Sequence, residues 1–313
     1  MENFIFSLNV TLPVFIIILL GVLLKFIGFV NDGFTSVADK FVFKIALPAQ
    51  LFQEIATMDL KSDFSLKFVL FCVAATTFMF AVCWTISQLF IKDKSMRGAF
   101  AQASARGSAA ILGIAFVQNI YGNSGMTPMM ILVAVPLFNI YSVIILTLSS
   151  AGKISRSVLK KTILNIIKNP IILGIIAGFV WNLTGIPWIP LVSKSVGYLA
   201  NTATPIALIV LGASFEGKEA LQKLRPTCVA VFLKLVGIPA IIFPVAISLG
   251  FTGAKLVAIM IMLASPTTVT CYIMAKNMNN DSTLSASIIM ASTILSSITL
   301  TFWVFLIKAL GYI

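Results

Sequence analysis

Two short polar segments interrupt long apolar runs: Ala103-Ser-Ala-Arg-Gly-Ser-Ala-Ala-Ile-Leu-Gly113 and Leu263-Ala-Ser-Pro-Thr-Thr-Val-Thr-Cys271. The second contains Pro266, which has no N–H and clashes with the carbonyl four residues earlier, so it predicts a kinked or opened helix. Gly107-Ser108 precedes Ser265-Pro266 by 158 residues. A broken helix exposes backbone groups that lipid cannot satisfy, so such breaks are typical of helices that line a cavity. The alternative is a proline kink with small residues for close helix packing.

Arg106 lies inside the first segment, nine residues after Arg97. At about 1.5 Å per residue this places it ~13 Å further along, near the middle of a ~30 Å hydrocarbon core. An arginine at that depth costs about 2.5–3.5 kcal/mol, so it must face a cavity, a carboxylate or backbone carbonyls. Because a guanidinium can bind a carboxylate through two hydrogen bonds, Arg106 predicts an anion site. Snorkelling to the cytoplasmic face and an internal ion pair are the alternatives.

The composition around these segments is that of an integral membrane protein. Of 313 residues, 59 % are hydrophobic and 10 % charged, against about 25 % charged in soluble proteins. The net charge of +12 does not indicate nucleic-acid binding, because the basic residues form short clusters between apolar runs. The four cysteines have no metal-site or disulfide spacing, and the absence of histidine excludes histidine-based catalysis and histidine metal ligands. No sequence motif of an enzyme is evident, and no cleavable signal peptide is expected.

The apolar runs predict ten transmembrane helices, since a span needs about 20 mostly apolar residues. Sixteen lysines and arginines, Lys234 among them, fall in the odd-numbered loops, and five fall in the even-numbered loops and the tails. This bias predicts cytoplasmic odd loops and both termini outside a cell membrane. The predicted spans are Asn9–Ile27, Ser36–Ala56, Phe64–Phe90, Gly98–Tyr121, Thr127–Ser149, Asn169–Leu183, Ser193–Phe215, Pro226–Leu249, Ala254–Ala275 and Thr283–Leu310.

A repeat with a near-constant offset divides the chain into two halves. An offset of 157 relates Pro13 to Pro170, Gly21 to Gly178, Gly28 to Gly185 and Pro48 to Pro205, and an offset of 158 relates Asn119 to Asn277. The halves, residues 1–152 and 153–313, would each hold five spans, joined by the basic loop 152–168. Five is odd, so the second half enters the membrane from the opposite side. Inverted repeats of this kind are typical of secondary transporters, which bind substrate near the midplane between broken helices.

Two broken helices that face each other would bring four half-helix ends together, and the N-terminal ends favour an anion. No cofactor or metal is predicted, and Na⁺ or H⁺ coupling is left open. Glu54 and Glu216, near span ends, are predicted to be interfacial, and Asp39 solvated. The candidate substrate-binding residues are Arg106, Gly107, Ser108, Gly113, Ser265, Pro266, Thr267, Thr268, Asn139, Tyr141, Pro48, Gln50 and Pro205.

Over nearly its full length the sequence resembles the auxin efflux carrier family in its short bacterial and archaeal form. The likeness rests on four stretches: Lys40-Phe-Val-Phe-Lys-Ile-Ala-Leu-Pro48, Asn169-Pro-Ile-Ile-Leu-Gly-Ile-Ile-Ala-Gly178, Ala203-Thr-Pro-Ile-Ala-Leu-Ile-Val-Leu-Gly-Ala-Ser214 and Ser265-Pro-Thr-Thr-Val-Thr-Cys-Tyr-Ile-Met-Ala-Lys276. The resemblance implies a fold like that of bile acid–sodium symporters, with crossed fourth and ninth helices, elevator-like alternation and a homodimer. It also implies a small organic anion as substrate, such as auxin, malate or malonate.

The sequence departs from the family pattern in the fourth span. The family usually has an asparagine near the crossing and a Gly-Leu-Pro or Gly-Ile-Pro after it, whereas this chain has Ser108 and Gly113-Ile-Ala115. Gly107 and Gly113 would then supply the break, and the asparagine amide is missing from the expected site. We expect a carrier for a small carboxylate. A membrane sensor that binds without flux is the main alternative, and a channel or an intramembrane enzyme are further ones.

Overall fold

The computed structural model describes residues 2–57, 65–109, 117, 120–121, 125–150, 164, 167–215 and 217–313, with side chains from residue 12 onward. Every regular element in these residues is helical, apart from one isolated β-bridge. In chain order the helices are α1 (Glu2–Phe26), α2 (Asp32–Phe41), the π-helical segment π1 (Val42–Ala46), α3 (Leu47–Ala56), α4 (Leu66–Phe90), α5 (Lys94–Ala105), α6 (Thr127–Ser150), α7 (Pro170–Thr184), α8 (Pro190–Ala213), α9 (Gly217–Gln222), α10 (Leu224–Phe232), the π-helical segment π2 (Leu233–Gly237), α11 (Ile238–Ser248), α12 (Gly253–Ala264), α13 (Thr270–Asn277) and α14 (Ser282–Ala309).

Five of the described helices are long and apolar enough to cross a membrane: α4, α6, α8, the continuous helix Leu224–Ser248 and α14. Shorter apolar helices lie at Leu12–Phe26, α7 and α12. Large apolar side chains cover the outer surface, with Phe26 87 % and Leu191 75 % exposed, as lipid contact requires. The chain is therefore a multi-pass membrane protein. Helices occur within each of the ten predicted spans, whereas the count of ten crossings, the orientation of the termini and the division at residue 152 stay predictions.

Close backbone contacts hold the first helices against the second half of the chain. α1 packs against α8, and α7 packs against α3. A Cβ added to Gly21 in α1 would meet the carbonyl oxygen of Ile209 in α8, and one added to Gly178 in α7 would lie 2.9 Å from the Cβ of Ile55 in α3. Only glycine lets the two backbones approach so closely, a packing mode common between membrane helices.

Polar side chains cap several helices and fix where they begin. The carboxylate of Asp93 accepts a 2.9 Å hydrogen bond from the backbone N–H of Ser95 and a 2.8 Å bond from its hydroxyl. Asp281 caps α14 in the same way by accepting from the N–H of Leu284 at 2.8 Å. Such caps satisfy backbone donors that have no partner within the helix. At Asp93 the cap sets the start of α5, the helix that leads to Arg106.

Asp93→Ala should lower the free energy of unfolding by about 1 kcal/mol, the usual cost of losing an N-cap. The hydrogen bonds from Ser95 hold the pKa of Asp93 below its ordinary value. The ionised form is thus favoured in the folded state, so its contribution is present near neutral pH and is lost as pH falls through the folded-state pKa. Thermal unfolding of the wild type and Asp93→Ala between pH 7 and pH 3 checks this. A difference that persists unchanged at the lowest pH would contradict it.

Candidate functional site

The two polar segments meet, and neither is helical at the meeting point. α5 ends at Ala105, and Arg106 is extended, with φ −78° and ψ 122°. α12 ends at Ala264, and the helix resumes at Thr270 in α13. Gly107 and Thr267 form an antiparallel β-bridge, and the N–H of Ser108 donates to the carbonyl of Pro266 at 2.8 Å. The breaks thus satisfy part of each other's backbone, as burial requires.

Side-chain hydrogen bonds stabilise this crossing, and the two segments are closely packed at Gly107. The hydroxyl of Thr267 donates to the carbonyl of Ala103 at 2.7 Å, and the N–H of Thr267 donates to the hydroxyl of Ser292 at 3.1 Å. A Cβ on Gly107 would contact the hydroxyl of Ser265 and lie 2.8 Å from Nζ of Lys234. A side chain at position 107 would therefore have to displace the Ser265 hydroxyl and the end of the Lys234 side chain.

Arg106 is only 6 % exposed and is bound by neutral groups. Its Nη2 donates to Oδ1 of Asn139 at 2.9 Å, and its Nη1 donates to the sulfur of Met274 at 2.9 Å. Asn139 is oriented by a 2.8 Å bond from its own amide to the carbonyl of Val135. Within the described part of the chain, no carboxylate forms a salt bridge with Arg106.

Arg106 opens onto a recess at the crossing. The space within it, including its open mouth, is about 520 Å³. Arg106, Gly107, Ser108, Thr268, Asn139 and Gln50, all candidates from the sequence, lie around it. The other lining residues are Leu47, Leu51, Glu54, Ala109, Val135, Phe138, Thr204 and Thr270.

The other sequence candidates that the structure describes do not line the recess. Ser265, Pro266 and Thr267 are buried in the crossing itself. The hydroxyl of Tyr141 is hydrogen-bonded to that of Thr77 at 2.8 Å, and the Tyr141 side chain is not part of the lining. Gly113 and Glu216 lie outside the described residues.

The two candidate prolines, Pro48 and Pro205, are also absent from the lining of the recess. A Cβ added to Gly174 in α7 would lie 2.6 Å from the carbonyl oxygen of Pro48, so the two backbones are in close contact. Pro205 lies within α8, which continues unbroken around it. Pro48 therefore contributes to packing against α7 and lies just after the π-helical segment π1, whereas α8 continues as a helix through Pro205.

The predictions from the sequence were wrong for two charged residues at or near the site, Glu54 and Lys234. Glu54 was expected at the interface, but it lines the recess and accepts a 2.9 Å hydrogen bond from the amide of Gln50. Lys234 was counted with the loop lysines, but it is fully buried within Leu224–Ser248. Without Lys234 the odd-numbered loops hold fifteen basic residues rather than sixteen. The spacing Gln50-x-x-x-Glu54, one helical turn, is the sequence signal that could have predicted this side-chain pair.

A bundle of apolar helices with two interrupted helices crossing beside a recess is the architecture of a membrane transporter. The sequence profile of the family described as Membrane transport protein matches residues 6–304, and the chain belongs to this family, which confirms the resemblance to the auxin efflux carriers. It is also similar to an uncharacterized transporter of Methanothermobacter thermautotrophicus. The two are 22 % identical over 299 residues, which cover 95 % of this chain and 97 % of the relative.

Proposed function

We propose that the chain is a secondary carrier for a small organic anion, a mono- or dicarboxylate such as malate or malonate. The placement of Arg106 carries the proposal. A buried cation requires a counter-charge, and the described partners of Arg106 are neutral. Glu54 faces the same recess and its charge attracts Arg106, but its carboxylate is hydrogen-bonded to Gln50 and forms no salt bridge with the guanidinium. A substrate carboxylate entering the recess would complete the pairing.

A helix end adds to the preference for an anion. Thr270 begins α13 after the second break and lines the recess, so the N-terminal end of this half-helix lies beside the recess. The partial positive charge at a helix N-terminus favours negative ligands. Arg106 and this helix end therefore act in the same direction.

The position of the recess supports alternating access of the elevator type. Gln50 and Glu54 of α3 and Thr204 of α8 form one wall, and Arg106, Asn139 and Thr270 form the other. The helices of the first wall pack with α1 and α7, whereas α4, α5 and α6 pack with one another. A substrate bound between two such groups moves across the membrane when one group slides against the other.

The contacts between helices also support two inverted halves. Gly21 and Gly178, related by the offset of 157, each lie where a helix of one half meets a helix of the other without room for a Cβ. α1 of the first half packs against α8 of the second, and α7 of the second half packs against α3 of the first. A two-fold relation between the halves would require this reciprocal pairing. The homodimer and the outward-facing termini belong to the same proposal.

A thermal-shift screen of the purified protein tests the anion. Malate, malonate and related carboxylates should raise the melting temperature by about 5 °C at saturating concentration, because a ligand that binds only the native state stabilises it. Malonamide, which has the shape but not the charge, is the matched control and should have no effect. Stabilisation by the amide and the acid alike would contradict an anion site.

Uptake of the stabilising compound into proteoliposomes separates a carrier from a sensor. A carrier should accumulate or exchange the labelled compound at a rate proportional to the protein reconstituted. Binding without flux, in liposomes where the protein is folded, would favour the sensor. Membership of the family described as Membrane transport protein favours the carrier.

A further inference from the structure

Lys234 caps the C-terminal ends of both broken helices. It is fully buried in π2, inside the membrane-spanning helix Leu224–Ser248. Its Nζ donates to the carbonyl of Ala105 at 3.0 Å and to the carbonyl of Leu263 at 2.9 Å. Ala105 is the last residue of α5, and Leu263 is the last but one of α12. A single ammonium therefore binds both helix ends.

The charges at this point balance. Each helix C-terminus carries about half an elementary negative charge, so two of them present about one. The ammonium of Lys234 supplies one positive charge. Among the residues that the structure describes, no carboxylate forms a salt bridge with it, so the helix ends are its counter-charge. A lysine buried in this way is stable only while that pairing persists.

A third oxygen lies beside the two carbonyls. The hydroxyl of Ser265 is buried and has no hydrogen-bond partner among the described residues. It lies near the ammonium without bonding to it, because a Cβ on Gly107 would contact both groups. The two carbonyls, with this hydroxyl nearby, form the kind of all-oxygen set that hard cations prefer.

We propose that Lys234 is a resident counter-ion that occupies a monovalent-cation site at the helix crossing, so that no free Na⁺ binds there. The inference rests on the proposed function, because it describes how the carrier manages charge at its crossing. Lys234 neutralises the C-terminal helix ends, while Arg106 and the N-terminal end of α13 face the recess. The substrate anion and the resident cation then occupy opposite sides of one crossing, and transport does not require sodium at this site.

The experiment measures the melting temperature of the purified full-length protein in sodium chloride and in choline chloride at equal ionic strength. The wild type should melt at the same temperature in both salts. Lys234→Ala should melt about 5 °C lower or more in choline, because unpaired buried charge is costly, and should recover at least half of that loss in sodium. Lys67→Ala is the matched control, since Lys67 also donates to a carbonyl at a helix end, that of Leu249, but at an exposed position. It should change the melting temperature by about 1 °C or less in either salt.

Lys234→Gln separates charge from hydrogen bonding, because glutamine keeps two N–H donors without the charge. It should melt well below the wild type in choline. If Lys234→Gln matches the wild type, hydrogen bonding suffices and the counter-ion proposal is wrong. It is also wrong if Lys234→Ala is insensitive to sodium, or if sodium stabilises the wild type as much as the variant.

Folding failure of the alanine variant is itself informative. Folded Lys234→Ala obtained only in sodium supports the cation site, and if it folds in neither salt the glutamine variant decides. These measurements need no substrate, so their failure rejects the counter-ion alone. Absence of carboxylate binding and flux would reject the proposed function and leave the counter-ion standing.

Discussion

Arg106→Ala should lower carboxylate uptake into proteoliposomes about 100-fold or more at substrate concentrations below saturation. The change removes two charge-assisted hydrogen bonds to the substrate, each worth about 1.5–3 kcal/mol, and about 1.4 kcal/mol corresponds to a factor of ten. Arg106→Lys keeps the charge but not the planar pair of donors, so it should retain more activity, about tenfold below the wild type. Initial uptake rates, divided by the amount of folded protein in the liposomes, give the comparison.

Arg97 offers the matched control for Arg106. It lies on α5, which ends just before Arg106, and its Nε donates to the carbonyl of Ile91 at 2.8 Å and its Nη1 donates to Oε1 of Gln88 at 3.1 Å. It does not line the recess, so Arg97→Ala should transport at close to the wild-type rate. Equal losses of uptake in Arg97→Ala and Arg106→Ala would mean that both arginines serve folding or membrane insertion. Full uptake by Arg106→Ala would remove the anion site.

The helix crossing could be predicted from the sequence because its causes are local. Pro266 cannot continue a helix, and Arg106 cannot rest in lipid; both statements depend only on residue type and depth. The matched spacing of Gly107 and Ser265 then placed the two breaks opposite each other. Six of the thirteen candidate residues line the recess, and these lie at the crossing or on the neighbouring helices.

The surroundings of the crossing could not be predicted because they depend on contacts between distant parts of the chain. Lys234 follows a cluster of loop lysines closely enough to be counted with them, and its partner Ala105 is 129 residues away. Asp39 was expected to be solvated, but it is 2 % exposed and forms an ion pair with Lys276. The burial of these two charges depends on partners that the neighbouring sequence does not reveal. For a membrane helix, depth can be read from position, whereas the direction of a side chain follows from packing.

Gly21→Ala and Gly178→Ala should each lower the free energy of unfolding in detergent by about 2 kcal/mol, within the usual range for overpacking. At Gly21 the added methyl would meet the carbonyl oxygen of Ile209 and lie 3.1 Å from the backbone nitrogen of Ala213. At Gly178 it would lie 2.9 Å from the Cβ of Ile55. Backbone atoms and a Cβ cannot rotate away, so the helices must separate. Melting temperatures should fall by about 4–8 °C.

Gly197→Ala is the control for both variants, because its nearest neighbour is a side-chain atom, Nε2 of Gln53 at 3.2 Å. That flexible amide can move, and alanine is favoured over glycine inside a helix by up to about 1 kcal/mol, so the variant should be neutral or more stable. If Gly21→Ala and Gly178→Ala behave alike while Gly197→Ala does not, the two glycines serve the same role in their halves. A loss at Gly21 with none at Gly178 would mean that the α7–α3 contact is looser than the α1–α8 contact. The offset of 157 would then relate residues without relating their packing, and the support that these glycines give to two inverted halves would be lost.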